Sequence, residues 1–188
     1  MARPRSDEKR DAIMAAAIRI IAAQGLGAPT AAIAKEAGVS NGALFTYFET
    51  KSDLVNQLYL HLKAGMAQAT MTGLPLEADL RGQMHHVWER WVAWAMAHPQ
   101  ERKALAYVGV APDLFEATRA AASEAYAGIA ELLERSRAHG VLRDAPLAFV
   151  GAMVVALLDA TVQVMTQDQA NAPAHADTGF TALWRMLA

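Results

Sequence analysis

Alanine most narrows what this chain folds into: it fills 42 of the 188 positions, about 22%. Alanine is the strongest helix former, because it surrenders no side-chain freedom in a helix and offers the backbone no competing hydrogen bond. Runs of β-branched residues are short, and the 12 glycines and 7 prolines punctuate the pattern. The expectation is an all-α fold of about nine helices. Hydrophobic residues make up 54% and charged residues 19%, enough apolar material to build a core and too little charge for a disordered chain. Cysteine is absent, which excludes disulfides, thiol catalysis and cysteine-ligated zinc. The glycine-rich nucleotide loops, HExxH and the EF-hand spacing are also missing.

Residues 1–10 are polar and carry no apolar run of the signal-peptide kind. The longest apolar stretch, 147–158, stops at Asp159, short of the roughly 20 residues that span a bilayer. The expectation is a soluble, cytoplasmic protein without a membrane partner.

Periodicity places the helices. Ile13, Ala16, Ala17, Ile20 and Ile21 share one stripe of a first helix that starts near Ser6 and ends at Gln24-Gly25. A short helix follows from Pro29 or Thr30 to Ala37, stopped by Gly38, and another runs from Asn41 to Phe48 with Ser40 as its N-cap. Thr50-Lys51-Ser52-Asp53 reads as a capping box opening a helix through Leu54, Leu58, Leu62 and Met66. Five further helices are expected over about 77–97, 100–110, 114–138, 146–166 and 175–187, with 167–174 as a loop.

The segment 30–48, TAAIAKEAGVSNGALFTYF, encodes two short helices joined by a tight turn at Gly38. Ile33, Ala34 and Ala37 pack the first against Leu44, Phe45 and Phe48 of the second, a helix-turn-helix. Such a unit puts the N-terminus of its second helix into the DNA major groove. The residues there are Ser40, Asn41, Gly42 and Ala43, followed by Thr46 and Tyr47. Asparagine reads base edges, glycine and alanine allow close approach, and hydroxyls suit phosphate oxygens. Lys51 at the next helix start favours phosphate, and Arg3, Arg5, Lys9 and Arg10 form a basic arm suited to a minor groove.

The run IAKEAGVSNGALFTYFETKSDL, residues 33–54, resembles the DNA-binding domain of the TetR family of bacterial transcriptional regulators, and the resemblance covers residues 10–54. It implies a three-helix helix-turn-helix domain over 1–50 and a larger helical ligand-binding and dimerisation domain over 51–188. It also implies a homodimer that binds a near-palindromic operator as a repressor and leaves it when a small effector binds. By position, Asn41, Gly42, Ala43, Thr46 and Tyr47 would face DNA, while Thr30 and Lys51 would contact phosphate. Phe45 stands where the family usually has tyrosine, and the recognition helix has no lysine or arginine. The HGVLRD run, residues 139–144, also resembles the entry to the family's penultimate helix.

Beyond residue 63 the informative feature is aromatic. Trp88, Trp91, Trp94 and Met84 share a broad face of one helix, and Tyr107, Phe115 and Tyr126 follow on the next two. Met84, Trp88, Trp91, Tyr107, Phe115, Tyr126 and Met153, with Asp159 as a polar anchor, are candidates to line a pocket for an aromatic or lipophilic effector. An ordinary core is the competing reading. Among His85, His86 and Glu89, only His86 is spaced to pair with the carboxylate; no Glu-x-x-His occurs, and neither metal nor cofactor is expected. The 146–166 helix is apolar nearly all round and the last helix carries Phe180, Leu183, Trp184 and Leu187, so Val154, Leu158, Phe180, Trp184 and Leu187 are candidates for a dimer interface. No paired acid and base or activated nucleophile points to an enzyme. An all-helical small-molecule binder or enzyme, and an activator with the same DNA-binding unit, stay open beside the repressor.

The net charge of −2 conceals an asymmetry. Residues 1–63 hold 8 Lys+Arg and 6 Asp+Glu, a net of +2, and residues 64–188 hold 9 and 13, a net of −4. The mildly basic end is the one carrying the helix-turn-helix.

Overall fold

The computed structural model describes residues 5–188, with side chains from Asp7 onward. These residues form ten α-helices: α1 (Arg5–Gln24), α2 (Thr30–Glu36), α3 (Asn41–Leu44), α4 (Lys51–Met71), α5 (Leu80–Ala97), α6 (Pro99–Gly109), α7 (Glu116–Ala125), α8 (Ala127–Arg137), α9 (Leu147–Gln167) and α10 (Ala172–Leu187). One 3-10 turn, Gln169–Asn171, precedes α10, and the described residues include no strand.

The helices fall into two compact units. The first holds the residues up to Ala64 together with His98–Glu124, and the second holds Gly65–Ala97 and Ala125–Ala188. Compactness therefore divides the chain differently from the 1–50 and 51–188 division read from sequence: the first half of α4, with α6 and α7, joins α1, α2 and α3. The stripe of α1 explains this grouping. Ile13, Ala17 and Ile21 meet Ile33, Leu44, Phe48, Leu54, Leu58, Ala104 and Val108 in one buried cluster, and each such large side chain taken out of water contributes about 1.5–3 kcal/mol. In the second unit α5 packs on α8, α9 and α10. There Trp88 donates its indole N–H to the Ala176 carbonyl at 3.0 Å, and Gly179 brings α10 so close that a methyl group on it would collide with Trp88 and Thr161.

Four boundaries differ from the sequence reading. The expected helix over 41–48 is α-helical only to Leu44, with Phe45 closing it and residues 45–47 in turns. The expected helix over 114–138 is two helices separated at Tyr126, two residues before Gly128, a poor helix former; its halves pack into different units, which periodicity cannot reveal. The expected loop over 167–174 is largely structured, because Pro173 sits in the first turn of α10, where its missing N–H costs nothing. In α2, Pro29 is the N-cap and Thr30 the first helical residue. The helix α9 runs through Asp159 to 21 residues, and by length and composition it would reach across a membrane. Its Val150, Val154, Leu158, Thr161, Val162 and Met165 face the interior, which accounts for one side of that apolarity.

Candidate nucleic-acid interface

The turn between α2 and α3 is built by backbone hydrogen bonding. The Val39 N–H donates to the Ala34 carbonyl at 3.0 Å and the Gly38 N–H to the Lys35 carbonyl at 3.1 Å. This is the Schellman arrangement, which needs a left-handed residue at its pivot. Gly38 supplies it with φ of +70°. The chain then re-enters helix at once, because Ser40 Oγ accepts the Ala43 N–H at 3.1 Å, a side-chain N-cap.

With Leu44 and Phe48 fully buried, the opposite face of α3 is left outward. Ser40, Asn41, Gly42 and Thr46 are exposed and Ala43 is half-buried. A methyl group added at Gly42 would meet nothing within 4 Å, so this face is open to an approaching partner. Thr46 Oγ1 donates to the Ala43 carbonyl at 2.7 Å, which leaves its oxygen free to accept. Tyr47 is half-buried and packs against the core cluster, and Thr30 at the start of α2 is half-buried. Phe45 is 40% exposed beside these residues; its spacing, one residue past the buried Leu44, is the signal that sequence reading set aside when it assigned Phe45 to the packing between the two helices.

Three of the basic residues bond within the first unit. Lys51 Nζ donates to the Leu26 carbonyl at 2.6 Å and the Ala28 carbonyl at 2.7 Å. Its ammonium therefore clamps the loop between α1 and α2. Arg10 donates to Gln57 Oε1 at 2.6 Å and stands over the Phe48 ring at 5.7 Å, joining α1 to α4 rather than extending an arm. Arg19 pairs with Glu36 at 2.7 Å, fixing α2 on α1. Arg3 lies outside the described residues, as does the side chain of Arg5, whose backbone begins α1. Lys9 and Lys35 are exposed. The capping box at α4 forms: the Asp53 N–H donates to Thr50 Oγ1 at 3.0 Å, and the Glu49 N–H to Asp53 Oδ2 at 3.1 Å. Further along α4, Lys63 stands over the Tyr59 ring at 5.8 Å. Burial pushes the Lys63 ammonium below and the Tyr59 phenol above their usual pKa ranges, with Arg119 pulling the phenol back.

The candidate effector residues divide between the two units. Tyr107 and Phe115 belong to the first unit and the others to the second. Met84, Trp88, Trp91 and Trp94 are buried core of the second unit, and Tyr126, Met153 and Asp159 are half-buried. The second unit instead has an open groove of about 410 Å³ lined by Asp79, Arg81, His85, Asp177, Phe180 and Thr181. Arg81 stands 5.8 Å over the Phe180 ring, and His85 meets that ring edge-on at 4.4 Å. His85, not His86, pairs with Glu89, at 3.4 Å, because a spacing of four aligns them better on one face; His86 bonds the Thr72 carbonyl at 3.1 Å.

Of the candidate dimer residues, Val154, Leu158, Phe180 and Leu187 are buried within the protomer and Trp184 is half-buried. The outward apolar face of α9 is instead Phe149, Ala152, Val155, Ala156, Ala160 and Val164.

A helix-turn-helix whose short second helix, α3, shows asparagine and glycine to solvent, with Thr46 in the turn that follows, defines a DNA-binding class of protein. Residues 13–58 match the model of the family described as bacterial regulatory proteins, tetR family. Solved structures agree over the whole chain. A tetR-family protein from Shewanella sp. PV-4 is 27% identical, with 94% of this chain and 96% of that one covered and a TM-score of 0.83. A TetR family transcription regulator from Marinobacter aquaeolei VT8 is 20% identical, with 100% and 99% covered and a TM-score of 0.87. The TetR-like regulator LfrR from Mycobacterium smegmatis, in complex with proflavine, is 20% identical, with 94% and 95% covered and a TM-score of 0.68. The chain thus carries the DNA-binding domain of the TetR family of transcription regulators on that family's all-α fold.

Proposed function

We propose that the protein is a dimeric repressor of transcription that reads a palindromic operator with α3 and releases it on binding a small lipophilic or aromatic effector, acting in the cytoplasm. The observation that carries the DNA reading is the exposed Asn41-Gly42 face, held by the Schellman turn and the Ser40 cap. Asn41 contacts a base edge, Gly42 and Ala43 admit the groove wall closely, and Thr46 accepts or donates to the backbone. With no lysine or arginine between Ser40 and Glu49, affinity rests on fit as much as charge, so its salt dependence is shallow.

The outward stripe of α9 supports dimerisation. Ala152, Ala156 and Ala160 follow one another at spacings of four along the exposed face, with Phe149 at its end. Small residues let a second α9 approach closely, and a covered stripe removes apolar surface from water. A dimer duplicates α3 and sets the half-site spacing. The proflavine complex of LfrR supports an aromatic effector, taken by the second unit. Because α4 belongs to both units, effector binding that favours a different setting of α4 lowers the population that fits DNA.

The test is selection of binding sites from random duplexes, followed by gel shift with the wild type and Gly42→Leu. The wild type selects a palindrome. Gly42→Leu keeps its thermal midpoint, since the added side chain enters open space, and loses the specific shift. Failure of the wild type to select any sequence returns the protein to the alternative of an all-helical small-molecule binder.

A further inference from the structure

The α6–α7 corner, residues 110–115, is held to α4 by one buried side chain. Asn56 is 3% exposed. Its Nδ2 donates to the Asp113 carbonyl and to the Ser52 carbonyl, each at 2.9 Å, and its Oδ1 accepts the Phe115 N–H at 2.9 Å. Ser52 Oγ adds a longer bond to the same Asp113 carbonyl, at 3.3 Å. A side-chain amide has the donor and acceptor of a peptide group, so Asn56 pairs with the corner as one strand pairs with another. The pairing is local to the first unit and involves no residue of the DNA-facing surface.

Asn56 stands five residues beyond Lys51 on α4. Lys51 grips the loop leading into α2, and Asn56 grips the corner leading into α7. The first turns of α4 are therefore held from two sides. The same turns carry Leu54 and Leu58 into the cluster that buries Leu44 and Phe48 around α3. A close-packed cluster transmits a shift of one member to its neighbours. An unlatched corner also strands a desolvated amide, which drives Asn56 to re-seat rather than tolerate partial opening.

Resting on the DNA reading above, we propose that Asn56 is a positioning residue for DNA binding: by latching the α6–α7 corner to the first turns of α4, it sets the pose of the recognition helix while touching no DNA. The experiment measures affinity for the selected site and for a scrambled duplex of equal length, at a temperature where circular dichroism shows each protein folded. It compares the wild type, Asn56→Leu and Ser52→Ala. The ratio of specific to non-specific affinity is the readout, because loss of folded protein lowers both affinities equally and cancels. Asn56→Leu is expected to reduce the ratio at least tenfold, and Ser52→Ala about two- to threefold. Hydrogen exchange at the Phe115 amide rises in both. A folded Asn56→Leu with a ratio within twofold of wild type overturns the latch and leaves the DNA reading intact. If Asn56→Leu does not fold, an unchanged ratio in Ser52→Ala with faster Phe115 exchange overturns it. A wild type that selects no sequence overturns the DNA reading itself.

Discussion

Replacing Lys51 by methionine separates two roles for that residue. Methionine keeps most of the apolar stem and removes the ammonium. The structure then loses the bonds to the Leu26 and Ala28 carbonyls, 2.6 and 2.7 Å long. A hydrogen bond from a charged donor contributes about 1.5–3 kcal/mol, and Lys51 is half-buried, so solvent takes back part of that; the pair comes to about 2–4 kcal/mol. For a chain of this length the midpoint falls by about 4–16 °C. Thermal unfolding followed at 222 nm measures it. Binding to the selected operator, measured across a salt series on the folded variant, supplies the second reading. A phosphate ligand lost from each protomer would flatten the slope of log K against log salt by about 0.9 per contact. The clamp reading predicts a large stability loss with an unchanged slope. An unchanged midpoint together with a flattened slope refutes it and returns Lys51 to the DNA surface.

Gly38→Ala forces a β-carbon into the left-handed region at φ of +70°, which costs about 1–2 kcal/mol; since nothing crowds the site, a lower urea midpoint reflects backbone strain alone, and no change means the turn has another solution. Ala156→Arg puts a charge at the middle of the exposed α9 stripe and is expected to yield a folded monomer by sedimentation; a dimer as stable as wild type excludes α9 as the interface. The Asp168 carboxylate accepts from His175 at 2.8 Å and from Asn171 at 3.0 Å, which holds its pKa below the usual aspartate range, the His175 bond being the larger cause. Its contribution is therefore full above the unfolded aspartate pKa and is lost as pH falls through the lower folded value. The midpoint difference between wild type and Asp168→Asn should shrink as the solution is acidified, and a difference constant with pH sinks the assignment.

Local chemistry was legible wherever a residue acts on its own backbone. Ser40 caps α3, Thr50 and Asp53 box the start of α4, and Gly38 turns the chain; each needs only neighbours within five positions. The outward face of α3 was legible for the same reason, since burying Leu44 and Phe48 leaves one side outward. The carbonyl bonds of Lys51 were not legible because its partners lie 23 and 25 residues away, and a cation near a helix start has the same appearance whether it faces phosphate or carbonyl. The tryptophans of α5 were ambiguous because pocket and core use the same side chains; close approach of Gly179 decided for core at Trp88. The burial of Val154, Leu158, Phe180 and Leu187 within the protomer was not legible, since an all-apolar helix carries no mark of which side faces its own domain.

By itself the sequence determined that the chain is helical, where most helices begin and end, and that two short helices form a helix-turn-helix. These follow from propensity, capping and period, which are properties of a few adjacent residues. Only the tertiary structure decided which helices share a core, so that α6 and α7 join the helix-turn-helix unit, that the 114–138 stretch is two helices, and that Asn56 and Lys51 bond to backbone far along the chain. Burial and long-range hydrogen bonds are settled by which surfaces meet, and that depends on every helix at once.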